Sequence, residues 1–222
     1  GYRGSDVGKI VLELDEKKHV KRSTAQLIPV SGQQLAQDLQ QVSEQWYDDT
    51  QKWLDQPVAT ITGDMRITDH MKARAQGHAY LDLVNHVQME ATGTEISGTA
   101  LFNDDVRGFG KNVTVRNVMN SYVYPNTLVV EKVTGADLRA ALERCASFFE
   151  LREDGSLQIS AEFSTPKVEL YNYDYYTGLD YTFDLHKPVG QRVGKIFHAG
   201  AELLDEQEVE VVLNQYRGVG GG

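Results

Sequence analysis

The chain of 222 residues is 41% hydrophobic and 24% charged, proportions that allow one globular domain with a real core plus an additional segment. Its 22 Lys and Arg against 32 Asp and Glu give a formal net charge of -10, which excludes a basic stripe for a nucleic-acid duplex. A small anionic ligand stays open, because a few arginines or backbone N–H groups act locally within a screening length of about 10 Å.

No window approaches the ~18 apolar residues of a membrane span, and Gly1 is no natural start, so any targeting segment is expected to have been removed. Cys145 lies among apolar residues in a helical pattern and reads as core. Without a disulfide framework the compartment is undecided, since exported bacterial proteins also lack one.

In chain order, "GKIVLELDEK" within Val7 to Val20 alternates as a strand. From Ser31, a plausible N-cap, Leu35, Leu39, Val42, Trp46 and Trp53 recur at helical spacing until Pro57. Such a helix of ~20 residues spans roughly 30 Å, enough to bridge two domains, although a plain surface helix fits the pattern equally well.

"VATITGD" (58–64) reads as a short strand, and Ala79 to Thr92 as a helix ended by Gly93. Residues 113–133 read as two extended or mixed segments, the second rich in β-branched residues. Thr134 and Asp137 form a capping-box start to a helix burying Leu138, Ala141, Leu142, Cys145 and Phe149. From Leu157 onward "ISAEFS", "KVELYNY", "LDYTFDL" and "EVEVVLN" read as strands. Helices early and strands late predict an α+β domain.

The six histidines show no metal-ligand spacing. His78 and His86, two helical turns apart, sit about 12 Å from each other, too far to share one ion, and read as solvated. No Gly-x-Ser-x-Gly elbow or Walker loop is present, so no catalytic residue and no metal ligand is assigned in this chain.

Two tyrosines stand where secondary structure breaks. Pro125 pushes Tyr124 into extended geometry, and Asn126 brings an amide able to read a base edge. Tyr216 leaves "EVEVVLN" for "YRGVGGG", where glycines permit close approach and Arg217 adds a cation. On the residues alone, a turn tyrosine and a loose tail remain the simpler reading. Five of the eleven tyrosines fall between Tyr171 and Tyr181; a sugar-stacking platform is conceivable, and a hairpin of cross-strand tyrosines is preferred.

Three stretches in order carry a resemblance: "YVYPNTLVVEKVTGADLRAALERCASFF" (122–149), "YNYDYYTGLDYTFDLHKPVGQRV" (171–193) and "NQYRGVGGG" (214–222). Together they resemble the C-terminal domain of 5'-nucleotidases over about residues 58–222. "LDLVNHVQMEATGTEISGTALF" (81–102) and "YPNTL" are most similar to the bacterial 2',3'-cyclic-nucleotide 2'-phosphodiesterase/3'-nucleotidase branch.

The resemblance implies a mixed sheet with helices, preceded by a long interdomain helix at 31–57. Residues 1–30 would be terminal strands of an N-terminal metallophosphatase domain that holds two divalent metal ions. It further implies that Tyr124 and Tyr216 sandwich a base with Asn126 beside the first. Arg107, in "FNDDVRGFG" where many members carry Asn-x-Gly-Gly-x-Arg, is the candidate for ribose or phosphate. Gly220-Gly221-Gly222 replaces the usual Gly-Gly-Asp, which points to the cyclic phosphodiesterase branch rather than a strict 5'-nucleotidase. The parent would be an extracytoplasmic phosphoric ester hydrolase, periplasmic, secreted or wall-attached, with a nucleotide or nucleoside and its own N-terminal domain as partners. Two alternatives are a 5'-nucleotidase or UDP-sugar hydrolase, and a non-enzymatic carbohydrate-binding module built on the tyrosine cluster.

Overall fold

The computed structural model describes residues 4–221, so residues 1–3 of the expected terminal strands and Gly222 of the closing glycines lie outside the described residues. Two compact units divide at Trp53 and Leu54.

In the first unit, β1 (Asp6–Leu14) and β2 (Val20–Pro29) form an antiparallel hairpin. Its turn is tied by Asp15, whose Oδ1 accepts from the N–H groups of Lys17 and His19, each at 2.9 Å. Helix α1 (Gln37–Leu54) begins later than Ser31. Ser31 is not its N-cap: Gly32 adopts φ +79° and the Gln33 N–H donates to Val30, so the chain turns there before the helix starts. The helix ends before Pro57 as expected, and its apolar stripe is exposed, Trp46 to 75%.

The second unit opens with the short strands β3 (Pro57–Thr60) and β4 (Met65–Arg66), then α2 (His70–Gln76) and α3 (Ala79–Thr92). Asp69 caps α2 by accepting from Lys72 N–H, and Gly93 closes α3 in the left-handed conformation. There follow β5 (Ile96–Ala100), β6 (Gly108–Phe109), β7 (Asn112–Thr114), α4 (Val115–Ser121), β8 (Leu128–Thr134) and α5 (Gly135–Ala146). The capping box of α5 forms as read, Asp137 N–H donating to Thr134 Oγ1 while Asp137 Oδ2 accepts from Thr134 N–H. Last come β9 (Phe149–Leu151), β10 (Leu157–Ile159), α6 (Ala161–Ser164), β11 (Asp174–Thr177), β12 (Phe197–His198), β13 (Ala201–Glu202), β14 (Glu208–Asn214) and α7 (Gln215–Gly218).

The central sheet has the order β11-β5-β14-β8, with β14 parallel to β5 and the other two pairs antiparallel, so the fold is α+β with a mixed sheet. Alternation along β5 divides its two faces. Ile96 enters a core with Leu138, Leu142, Cys145, Phe148, Tyr176 and Val211. Ser97 faces α3, where its hydroxyl donates to Asn85 and accepts from Gln88, both at 2.8 Å. This α3 face is therefore buried through a polar network of Asn85, Gln88 and Ser97, in which Gln88 Oε1 alone of the bonded side chains' oxygens has no partner. Cys145 is buried as expected, and burial pushes its thiol up to about 12.

The structure departs from the sequence pattern at several points. Residues 113–133 contain α4, whose Thr114 and Asn117 make a capping box hidden in the β-branched run "VTVRNV". "ISAEFS" runs from the end of β10 into α6. "KVELYNY" is a 3-10 turn over Leu170–Asn172, and "LDYTFDL" contributes only isolated bridges at Asp180 and Phe183. The tyrosines form no hairpin with one another: β11 pairs instead with β5, and Tyr173 and Tyr176 are buried in the core.

Candidate functional site

Sheet topology brings four distant segments to one end. Leu128, at the start of β8, is opposite Asn214, at the end of β14. Asp174, at the start of β11, is opposite Ala100, at the end of β5, and β5 runs parallel to β14. The residues just beyond these four ends therefore share one edge: Tyr124 before β8, Tyr216 after β14, Phe102 after β5 and Tyr171 before β11.

These four rings line a cavity of about 270 Å³ together with Asn126, Lys167, Asn214 and Arg217. Rings and a few convergent polar groups are the usual make-up of a small-molecule site. Tyr124 and Tyr216 are half-exposed, at 46% and 47%, so each offers a face.

The Tyr124 rim rests on Phe102, which is edge-on to Tyr124 at 5.2 Å and to Tyr122 at 4.9 Å between ring centroids. Tyr122 follows α4, and the last residue of that helix, Ser121, accepts through its carbonyl from the Tyr80 hydroxyl at 2.9 Å. The backbone N–H of Asn126 donates to the Tyr124 carbonyl at 2.9 Å, tightening the turn after Pro125. Its side chain bonds the Tyr122 hydroxyl, whose pKa burial raises.

On the opposite rim, Asn214 is buried and caps α7, its Oδ1 accepting from Arg217 N–H at 3.0 Å. The α7 turn is stitched to the start of β8, where Gln215 N–H donates to the Thr127 carbonyl at 2.8 Å and the Thr127 hydroxyl to Gln215 Oε1 at 2.9 Å. Tyr171 meets Tyr216 edge-on at 6.5 Å. The Lys167 ammonium donates to the Tyr171 hydroxyl at 3.2 Å and lies 5.1 Å from that ring's centroid, which places a cation at the mouth.

Of the residues singled out from the sequence, Tyr124, Asn126, Tyr216 and Arg217 come together here. Arg107 does not line this cavity; it is exposed beside β6, with its backbone carbonyl accepting from Ile67 N–H at 2.9 Å. Phe102, Lys167, Tyr171 and Asn214 were not anticipated as lining residues. Asn214, just ahead of Tyr216, carried the one usable signal, an N-cap residue type at a strand end.

The lining residues offer no free carboxylate or imidazole, and among the described residues no group of three or more His, Cys, Asp or Glu is placed to hold a metal ion. His78 instead caps α3 by accepting from Tyr80 N–H, and the His86 ring bonds the Asp82 carbonyl. The cavity can stack a planar ring and bond its edge. Among the described residues no helix is long and apolar enough to cross a membrane.

Comparison with known proteins gives this arrangement a context. The chain is 26% identical over 207 residues to the 2',3'-cyclic-nucleotide 2'-phosphodiesterase/3'-nucleotidase of Haemophilus influenzae, a match covering 78% of this chain and 31% of that protein. A crystal structure of a Staphylococcus aureus protein assigned as a 5'-nucleotidase, solved with α-ketoglutarate, superposes with a TM-score of 0.81 at 36% identity. That superposition covers 100% of this chain and 43% of the other. A 5'-nucleotidase precursor of Thermus thermophilus shares the fold at 19% identity, with a TM-score of 0.61 over 98% of this chain and 41% of its own. The chain thus spans less than half the length of these proteins. The sequence pattern described as 5'-nucleotidase, C-terminal domain, matches residues 57–222, and the chain belongs to that family.

Proposed function

We propose that this chain is the nucleoside-recognising part of a metal-dependent phosphoesterase that hydrolyses 2',3'-cyclic nucleotides and 3'-nucleotides outside the cytoplasm. The observation that carries it is the convergence of Tyr124 and Tyr216 on one aromatic cavity at the common end of β5, β14, β8 and β11. A base between the two rings gains ~1–3 kcal/mol per stack without regard to its identity. Asn126 adds an amide at the edge.

In this reading residues 1–30 end a preceding metallophosphatase domain, 31–57 connect it, and 58–222 grip the nucleoside. Two divalent ions in the preceding domain would activate water. This chain orients the substrate and by itself hydrolyses nothing. Arg107, away from the cavity, takes no part in base stacking. The likeness to the Staphylococcus aureus protein supports a second reading, a 5'-nucleotidase parent. Comparing 3'- and 5'-monophosphates as substrates of the longer enzyme separates the two.

The direct test is titration of this chain with adenosine and 3'-AMP, following the ring protons of Tyr124 and Tyr216 by NMR. Saturable shifts at both rings are expected, and Tyr124→Ala or Tyr216→Ala weakens binding about 5- to 100-fold. Silence at both rings, in this chain and in a longer one that includes the preceding domain, refutes the assignment.

A further inference from the structure

Arg217 faces the cavity, yet each of its three guanidinium nitrogens meets a protein oxygen. Nε lies 2.6 Å from Oδ2 of Asp174, a carboxylate that is itself only 6% exposed. Nη2 donates to the Tyr171 carbonyl at 3.1 Å, and Nη1 donates to the Gly221 carbonyl. One side chain thus ties together β11, the turn that carries Tyr171, and the tail that follows Tyr216.

That tail folds back on the tyrosine. Gly221 N–H donates to the Tyr216 carbonyl at 2.8 Å. A Cβ added at Gly221 would stand 2.7 Å from atoms of the Tyr216 ring, so the ring lies directly on glycine backbone. At Gly218 an added Cβ would stand 2.2 Å from Val129 Cγ2, so α7 also presses on β8. Small residues at both points allow the close approach.

We infer that Arg217, held by the buried Asp174 carboxylate, is a positioning residue that fixes Tyr216 against Tyr171 and Gly221 and so pre-sets one wall of the clamp, instead of binding a ligand anion. The Arg217 charge is already opposed by the Asp174 carboxylate and all three of its nitrogens lie beside protein oxygens, which leaves less of it for a ligand anion, and a ring fixed before binding loses less entropy on binding. The inference rests on the base-clamp reading given above.

Arg217→Lys tests it, because the ammonium keeps a charge beside Asp174 but lacks the planar fork that reaches Tyr171 and Gly221. In the ligand-free chain, the Tyr216 ring and Gly221 Hα signals are expected to shift and broaden while those of Tyr124 stay in place. Affinities for adenosine and 3'-AMP are expected to fall by the same factor, about tenfold. Asp174→Asn repeats both effects wherever its melting curve shows a folded protein.

Unchanged Tyr216 and Gly221 signals in Arg217→Lys overturn the inference. So does a loss confined to 3'-AMP, which would make Arg217 a direct phosphate contact. Tyr216→Ala measured alongside tests the clamp itself: unaltered adenosine affinity there refutes the clamp, while the ligand-free spectra of Arg217→Lys still decide the positioning role.

Discussion

The rim that carries Tyr124 is held by ring packing and a phenol hydrogen bond, whereas the rim that carries Tyr216 is held by a buried ion pair and a folded-back glycine tail. Edge-on ring packing sums many weak contacts and tolerates small movements; a charged side chain held beside three oxygens defines one geometry more sharply. The Tyr216 wall is thus the more sharply determined of the two, and the more vulnerable to loss of a single group. Burial pushes the Asp174 carboxyl above its ordinary range, and Arg217 opposes that rise. Desolvation of the two groups thus offsets much of their attraction, so removing one partner costs more than the intact pair contributes.

The largest effect is expected from breaking the charged rim. Asp174→Ala leaves Arg217 largely buried without its partner, and such a loss costs about 3–5 kcal/mol in a urea melt. A cost under about 1 kcal/mol would mean that the pair does not hold this rim. Next comes the packed rim: Phe102→Ala removes the surface on which Tyr122 and Tyr124 rest and is expected to cost about 3 kcal/mol. The Tyr124 ring signals should change with it and those of Tyr216 should not. The reverse pattern would erase the contrast between the rims.

A smaller effect sharpens the same comparison through pH. Burial raises the Tyr80 phenol to about 12, and its neutral form donates to the Ser121 carbonyl that ends α4. A folded value above the ordinary one, about 10, means that this contribution is fully present below about pH 10 and is lost as pH rises through the folded value. Tyr80→Phe is expected to cost about 1 kcal/mol at neutral pH and to flatten the alkaline limb of stability. An unchanged alkaline limb would show that the Tyr124 rim is anchored elsewhere.

Much of the local structure is legible in the residues. Gly93 stops α3, Thr134 with Asp137 starts α5, and the alternation in "EVEVVLN" makes β14, because caps and alternation act over a few residues. Helix α2 escapes notice because its seven residues include the buried Arg74, a type that normally marks a surface. That guanidinium is accepted inside by the Leu101 carbonyl at 3.0 Å and paired with Asp104 at 2.9 Å, partners supplied by a distant loop. Burial lowers its pKa, with Asp104 opposing the fall. The tyrosine cluster misleads for a related reason: alternation shows that residues 174–177 are extended but not which strand they pair with.

Legible in the residues were the α+β class, the stop of α3 at Gly93, the capping box of α5, the core position of Cys145 and, by resemblance, which two tyrosines to watch. Tertiary structure alone decided that Phe102, Tyr171 and Lys167 join them, that Arg107 stays outside the cavity, and that Arg217 turns inward to Asp174. The physical reason is that a strand's neighbours and direction depend on contacts across the whole sheet. Only the parallel pairing of β14 with β5, and the antiparallel pairing of β8 and β11 around them, bring four distant segments to one end.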